Sequence, residues 1–251
     1  MKKIISLLLA LAMVLSLAAC GSSASEPPKG DIKPLEDTEQ ESNTPQQTEE
    51  ETQPAEEETQ PAEDDNSFSL GAMQGGIYEN TYAGFGCKLN ENWVYKTAEE
   101  LQDVTGLTEE MFEGTDLDLS SYNQILDMMA ECSDPFASIN IQYTALSAQE
   151  RLAHAMAGEE GIIDATLQQK DLLISTYAQA GIDVSAMEKV TVNFCGEDRY
   201  AIHTTASVQD TPYYILQLFY TNIGPYYVTV TMGAFVEDTT PQLAELFYKL
   251  G

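Results

Sequence analysis

Tyr213-Tyr214-Ile215-Leu216-Gln217-Leu218-Phe219-Tyr220 is apolar or aromatic at almost every position. A strand with no polar face is covered on both sides and therefore sits centrally in its sheet. Lys189–Phe194, Arg199–Val208 and Tyr226–Phe235 lie close to it in sequence and have strand composition. Gly196-Glu197-Asp198, Gln209-Asp210-Thr211-Pro212 and Asn222-Ile223-Gly224-Pro225 supply turn residues between them. The four segments read as an antiparallel meander.

Working outward toward the C-terminus, Thr240 is the expected cap of a helix with Pro241 in its first turn. The stripe Leu243, Leu246, Phe247, Leu250 would pack that helix on the sheet. Toward the N-terminus, Ile77–Tyr82 and Gly84–Leu89 read as paired short strands, and Trp93–Lys96 as a third. Three capping boxes follow: Thr97 with Glu100, opening a helix to about Gly106, then Ser121 with Gln124, and Ser147 with Glu150. The second predicts a helix with Ile125, Met128 and Met129 on its apolar side, ending before Pro135. Ala137–Leu146 alternates as a strand. The third opens a helical stretch to Ala180, broken near Gly158 and Gly161, with the stripe Ile163, Leu167, Ile174, Tyr177. The expected fold class is α+β: an antiparallel sheet of about six strands sandwiched by helices.

The stretch Tyr82-Ala83-Gly84-Phe85-Gly86-Cys87-Lys88-Leu89-Asn90-Glu91-Asn92-Trp93 resembles the opening of PsbP-like α/β/α sandwich domains, where a Gly-Phe strand leads through a turn to Trp. The order of long helix, meander and final helix is similar as well. Asn90 and Asn92 stand where members of that superfamily often carry Pro and Gly. The resemblance implies a non-enzymatic module, its relatives including extrinsic photosynthetic subunits, a nuclear-import regulator and many bacterial lipoproteins without an assigned role. Those roles do not transfer, because a shared fold is not a shared site.

The N-terminus carries an address. Lys2 and Lys3 are followed by the apolar run Ile4–Leu17 and the small residues Ala18 and Ala19, the three parts of an export signal. The run is shorter than the roughly 18 residues of a membrane span. Leu17-Ala18-Ala19-Cys20 resembles the lipobox of bacterial lipoproteins, which implies cleavage before Cys20, diacylation of Cys20, and anchoring on the extracytoplasmic face of the cell membrane. Two acyl chains suffice for stable anchoring, at about 0.8 kcal/mol per buried methylene.

Residues 1–19 are then the signal peptide and 20–66 a lipidated N-terminus with its linker. From Gly21 to Asn66 there are 15 acidic residues against Lys29 and Lys33, and Glu50–Glu56 repeats as Glu57–Glu63. Pro recurs in each repeat and no apolar seam exists, so a coiled coil is excluded and a disordered, self-repelling tether is expected. Residues 67–251 suit one α+β domain. They hold 26 acidic and 7 basic residues within a chain of net charge −30, which argues against nucleic-acid binding.

Motifs for chemistry are sparse. His154 has no second metal ligand at helical spacing, and His203 lies in a strand on the side of Ala201 and Thr205. No nucleophile elbow, phosphate loop or dinucleotide fingerprint occurs. Asp116–Ser120, with Asp127 twelve positions along, lacks the Gly that a calcium loop requires. Cys87, Cys132 and Cys195 contain no Cys-x-x-Cys, and spacing selects no disulfide pair. Tyr213, Tyr214, Tyr220, Tyr226, Tyr227 and Tyr248 read first as sheet-packing residues and second as a ligand or partner groove. No catalytic, cofactor-binding or metal residue is assigned; the assigned modification is lipidation of Cys20.

The sequence expectation is therefore a non-enzymatic interaction or ligand-binding domain, accessory to an envelope complex, meeting the membrane through Cys20 and an envelope protein or small ligand through the domain. The alternative is an extracytoplasmic hydrolase with a dispersed Ser/His/carboxylate site. It requires His154 or His203 in a cleft within reach of both a serine and a carboxylate. A transporter's solute-binding protein fits less well, since the length suits one domain rather than two lobes.

Overall fold

The strand Thr211–Ile223 contains the opening octapeptide. It holds the position that its composition requires. Leu216 and Leu218 enter one apolar cluster, while Ile215 and Phe219 enter two others on the opposite face. The structure is a computed structural model and describes residues 68–97, 100–101 and 124–251.

In chain order the elements are β1 (Ala72–Gln74), β2 (Ile77–Asn80), β3 (Phe85–Lys88), β4 (Trp93–Tyr95), β5 (Gln124–Ser133), β6 (Phe136–Ala145), α1 (Ala148–Gln168), α2 (Lys170–Gln179), β7 (Asp183–Phe194), β8 (Glu197–Val208), β9 (Thr211–Ile223), β10 (Tyr226–Phe235), α3 (Thr240–Ala244) and β11 (Phe247–Lys249). A seven-stranded sheet runs β4-β5-β6-β10-β9-β8-β7 and a four-stranded sheet β1-β2-β3-β11. All the strand pairs are antiparallel. The predicted meander is β7 to β10, and the predicted short strands are β2, β3 and β4.

One face of the large sheet is covered by helices. Ser147 and Glu150 form the expected capping box at the start of α1. Ile162 and Ile163 of α1 pack with Ile202, Phe219 and Tyr227, while Leu173 and Tyr177 of α2 pack with Ala206, Tyr213 and Ile215. Ion pairs add to this seam: Lys189 reaches Glu160 at 2.9 Å and Asp164 at 2.8 Å, and Arg199 bridges Glu159 and Glu197. The other face is covered by the small sheet and α3. Tyr78, Phe85, Cys87, Leu243 and Phe247 share a core there with Ile139, Phe194, Leu216 and Val230. Helices on both faces were expected, so this layer is a correction. The strand count is higher too, at eleven among the described residues.

Several local expectations are overturned. The helix assigned after Ser121 is β5. Its register slips by one residue between Leu126 and Met128. That bulge returns Ile125 and Met128 to one core and Leu126 and Met129 to another, so a strand acquires the three-residue spacing of a helix. The final helix shrinks to the single turn of α3, and Phe247 to Lys249 form β11 against β3. Thr240 is not its cap: Thr239 holds that position without a side-chain bond, and Asp238 receives the Thr240 amide and hydroxyl. In α1 the break falls at Gly158, at φ 65° and ψ −179°, a conformation open to glycine. Gly161 is helical. In α2 the buried position is Leu173 rather than Ile174. Thr97 and Glu100 exchange their capping bonds as predicted; the rest of that helix and Asp116–Ser120 lie outside the described residues.

Asp127, on the bulge, ties the N-terminal entry of the domain to its centre. It accepts the Tyr78 hydroxyl at 2.6 Å, the Asn80 amide at 2.8 Å and the Gly71 N–H at 2.9 and 3.1 Å. Gly71 is needed for closeness, since a Cβ there would lie 2.2 Å from the Tyr78 ring. Gly71→Ala should therefore lower stability by about 1–3 kcal/mol. A urea midpoint equal to that of the unmodified protein would show that Tyr78 moves aside freely.

Candidate functional site

The meander places His203 of β8 beside the start of α3. Its Nε2 lies 2.8 Å from Asp238 Oδ2. The other oxygen, Oδ1, accepts the Thr240 hydroxyl at 2.7 Å and the Thr240 N–H at 3.2 Å. The pair borders a groove of about 410 Å3, which Asn193 of the edge strand β7 and Glu245 also line. His203 points to the side of buried Ala201, as its place in the strand predicted. A carboxylate that holds an imidazole is two-thirds of an acyl-transfer triad. Among the described residues no hydroxyl is bonded to the His203 ring, and the Thr240 hydroxyl donates to Asp238 instead.

His154 occupies the other face of the large sheet, on α1, with its ring centroid 5.2 Å from that of Tyr227. Burial lowers its pKa, with the charge of Glu150 opposing. Arg151, three residues earlier, lines with it a pocket of about 260 Å3 bounded by Leu146, Ala155, Gly224 and Tyr226. Among the described residues no serine hydroxyl is bonded to either histidine ring. The two histidines are therefore separate features, one on each face of the large sheet.

Cys87, Cys132 and Cys195 are free thiols. Burial pushes Cys87 up to about 12, and nearby Cys195 adds to this; burial likewise raises Cys195 to about 11. Both stay protonated at neutral pH and are poor nucleophiles. Cys132 donates to the Asp134 carbonyl at 3.7 Å. No group of three His, Cys, Asp or Glu side chains suited to a metal occurs among the described residues.

The tyrosines divide. Tyr213 and Tyr227 are core residues, Tyr220 lies 4.3 Å beneath the Arg199 guanidinium, and Tyr248 donates to Glu79 Oε1 at 2.8 Å. Tyr226 is the one of the six that borders the Arg151 pocket. Cys20 and residues 21–66 lie outside the described residues. No helix among the described residues is long and apolar enough to cross a membrane.

Sequence reasoning did not single out Asp238 or Arg151, and it weighed Asp127 only as the twelfth position of a calcium loop rather than as a buried acceptor. Asp238 is 35 residues from His203, in the turn between β10 and α3, and only the placing of that turn beside β8 joins them. Arg151 had a visible signal, since residues three apart share a helix face.

The class these features define is a mixed α+β domain, dominated by antiparallel sheet, with separate polar pockets on its two faces. No family model matches the chain, and no curated protein matches it. Among solved structures it is similar to cyanobacterial PsbP (CyanoP) from Synechocystis sp. PCC 6803, solved in solution. The likeness has 11% identity and a TM-score of 0.39, and it covers 73% of this chain and 94% of that one.

Proposed function

We propose that the chain is a bacterial lipoprotein, anchored through a diacylated Cys20 on the extracytoplasmic face of the cell membrane, whose domain acts by binding rather than by catalysis. The observation that carries the reading is Leu17-Ala18-Ala19-Cys20 at the end of a short apolar run headed by two lysines. The acidic stretch that follows has the composition of a spacer, with a root-mean-square reach of roughly 40 Å if unstructured. Binding is favoured over catalysis because, among the described residues, the His203 ring is held by Asp238 and no hydroxyl is bonded to it. The partner is an envelope protein or a small ligand, and the domain serves as an accessory to an envelope complex.

Cys20→Ala should abolish incorporation of labelled palmitate in growing cells; undiminished labelling would sink the anchor. For the binding role, crosslinking in intact cells should capture a specific envelope neighbour, and recovery of none counts against it. The hydrolase alternative draws only on the 2.8 Å contact of His203 with Asp238.

A further inference from the structure

Cationic side chains are scarce in this domain, and most are neutralised. Lys96 pairs with Glu131, Lys189 with Glu160 and Asp164, Arg199 with Glu159 and Glu197, and Lys249 with Glu197. Arg151 forms no ion pair among the described residues. It stands at the pocket shared with His154, over a floor of buried Leu146 and Tyr226. Ala155 and Gly224 contribute little bulk, which keeps the pocket open.

The imidazole has a direction. His154 Nδ1 is buried without a hydrogen-bond partner, whereas Nε2 is not. An orphaned buried N–H is rarer than an orphaned acceptor, so we assign the proton of the neutral ring to Nε2. That nitrogen is then the ring's donor, on a side chain that lines the same pocket as Arg151. The pocket presents one fixed positive charge, one neutral donor and an apolar floor, and its volume of about 260 Å3 is small.

We infer that this pocket binds a small monocarboxylate with an apolar or aromatic body, its carboxylate held by the Arg151 fork and by His154 Nε2–H, and its body against Leu146 and Tyr226. A planar guanidinium matches a carboxylate in a two-pronged contact. A phosphate shares the anionic chemistry, but a dianion meets a single compensating charge, with Glu150 close by and acidic residues in large excess across the domain. The inference deepens the binding-module reading and rests on it.

The test titrates benzoate and inorganic phosphate against the full-length protein in detergent, following amide shifts. Benzoate should move the amides of Leu146, Ala155 and Gly224 saturably. Arg151→Gln should weaken it about tenfold or more without changing the thermal melt, while Lys170→Gln, at an exposed unpaired lysine, should leave affinity within about twofold. An absence of saturable shifts, equal affinity in Arg151→Gln, or phosphate binding as tightly as benzoate would each overturn the inference. Palmitate labelling of Cys20 and crosslinking are independent of this readout, so failure here is distinguishable from failure of the anchor or of the partner.

Discussion

Asp127→Ala is expected to lower the free energy of unfolding by about 3 kcal/mol or more, with circular dichroism in urea as the measurement. The carboxylate is fully enclosed, and each neighbour is a donor: the Tyr78 hydroxyl, the Asn80 amide and the Gly71 N–H. Deleting the acceptor leaves the Tyr78 hydroxyl and the Gly71 N–H without their partner and the Asn80 amide with only its 3.4 Å bond to the Ser69 carbonyl. Each orphaned group contributes roughly 1–3 kcal/mol of lost stability. Asp127→Asn keeps the volume but turns an amide donor toward other donors, so it should be nearly as damaging. A loss below about 1 kcal/mol for both variants would mean that water reaches the site and that the clamp contributes little.

The same residue has a pH signature. Burial pushes the Asp127 carboxyl above the usual range, more than the bonds from Tyr78, Gly71 and Asn80 hold it down. For a carboxyl whose folded pKa is raised, the stabilising contribution is complete below the unfolded value of about 3.9 and declines as pH rises through the folded value. The protonated form remains compatible with the site, because the Tyr78 hydroxyl can rotate and accept. The stability gap between the unmodified protein and Asp127→Ala should therefore be wider at pH 4 than at pH 8. Other carboxyls cancel in that difference, so a gap independent of pH would contradict the raised pKa.

What could be read from the chain followed the range of the interactions. β9 was legible because burial on both faces removes polar positions, and that mark is internal to eight residues. The capping boxes at Thr97 and Ser147 were legible for the same reason, each being complete within four residues. β5 was misread because its bulge gives Ile125 and Met128 helical spacing, and only its nine-pair register with β6 decides the matter. β11 was hidden more deeply, since Phe247 pairs with Cys87 across 160 residues. Local pattern contains no trace of that partner. The site divides in the same way: Arg151 and His154 share a helix and could be seen together, whereas His203 and Asp238 meet only after the meander and α3 are in place.

Phe85→Ala is the second large effect, expected at about 3–5 kcal/mol. Phe85 belongs to the small sheet, yet its ring meets rings from the large one: Phe194 at 5.6 Å and Tyr220 at 5.6 Å, with Phe247 of its own sheet at 5.8 Å. Interplanar angles of 76°, 65° and 73° make all three contacts edge-to-face, and such a pair contributes about 0.5–1.5 kcal/mol beyond the area it buries. Truncation to Ala removes those contacts and leaves a void where four rings converge, from β3, β7, β9 and β11. Phe85→Leu fills much of the void but restores no ring edge, so it should recover roughly half the loss. Because one aromatic cluster joins the sheets, they should melt together. The single tryptophan, Trp93, reports from β4 beside the small sheet, and its fluorescence transition should coincide with the loss of circular dichroism in the unmodified protein. Two separated transitions there would show that the sheets unfold independently and that Phe85 is not their bond. Coincidence in the unmodified protein with separation in Phe85→Ala would place the coupling on this ring.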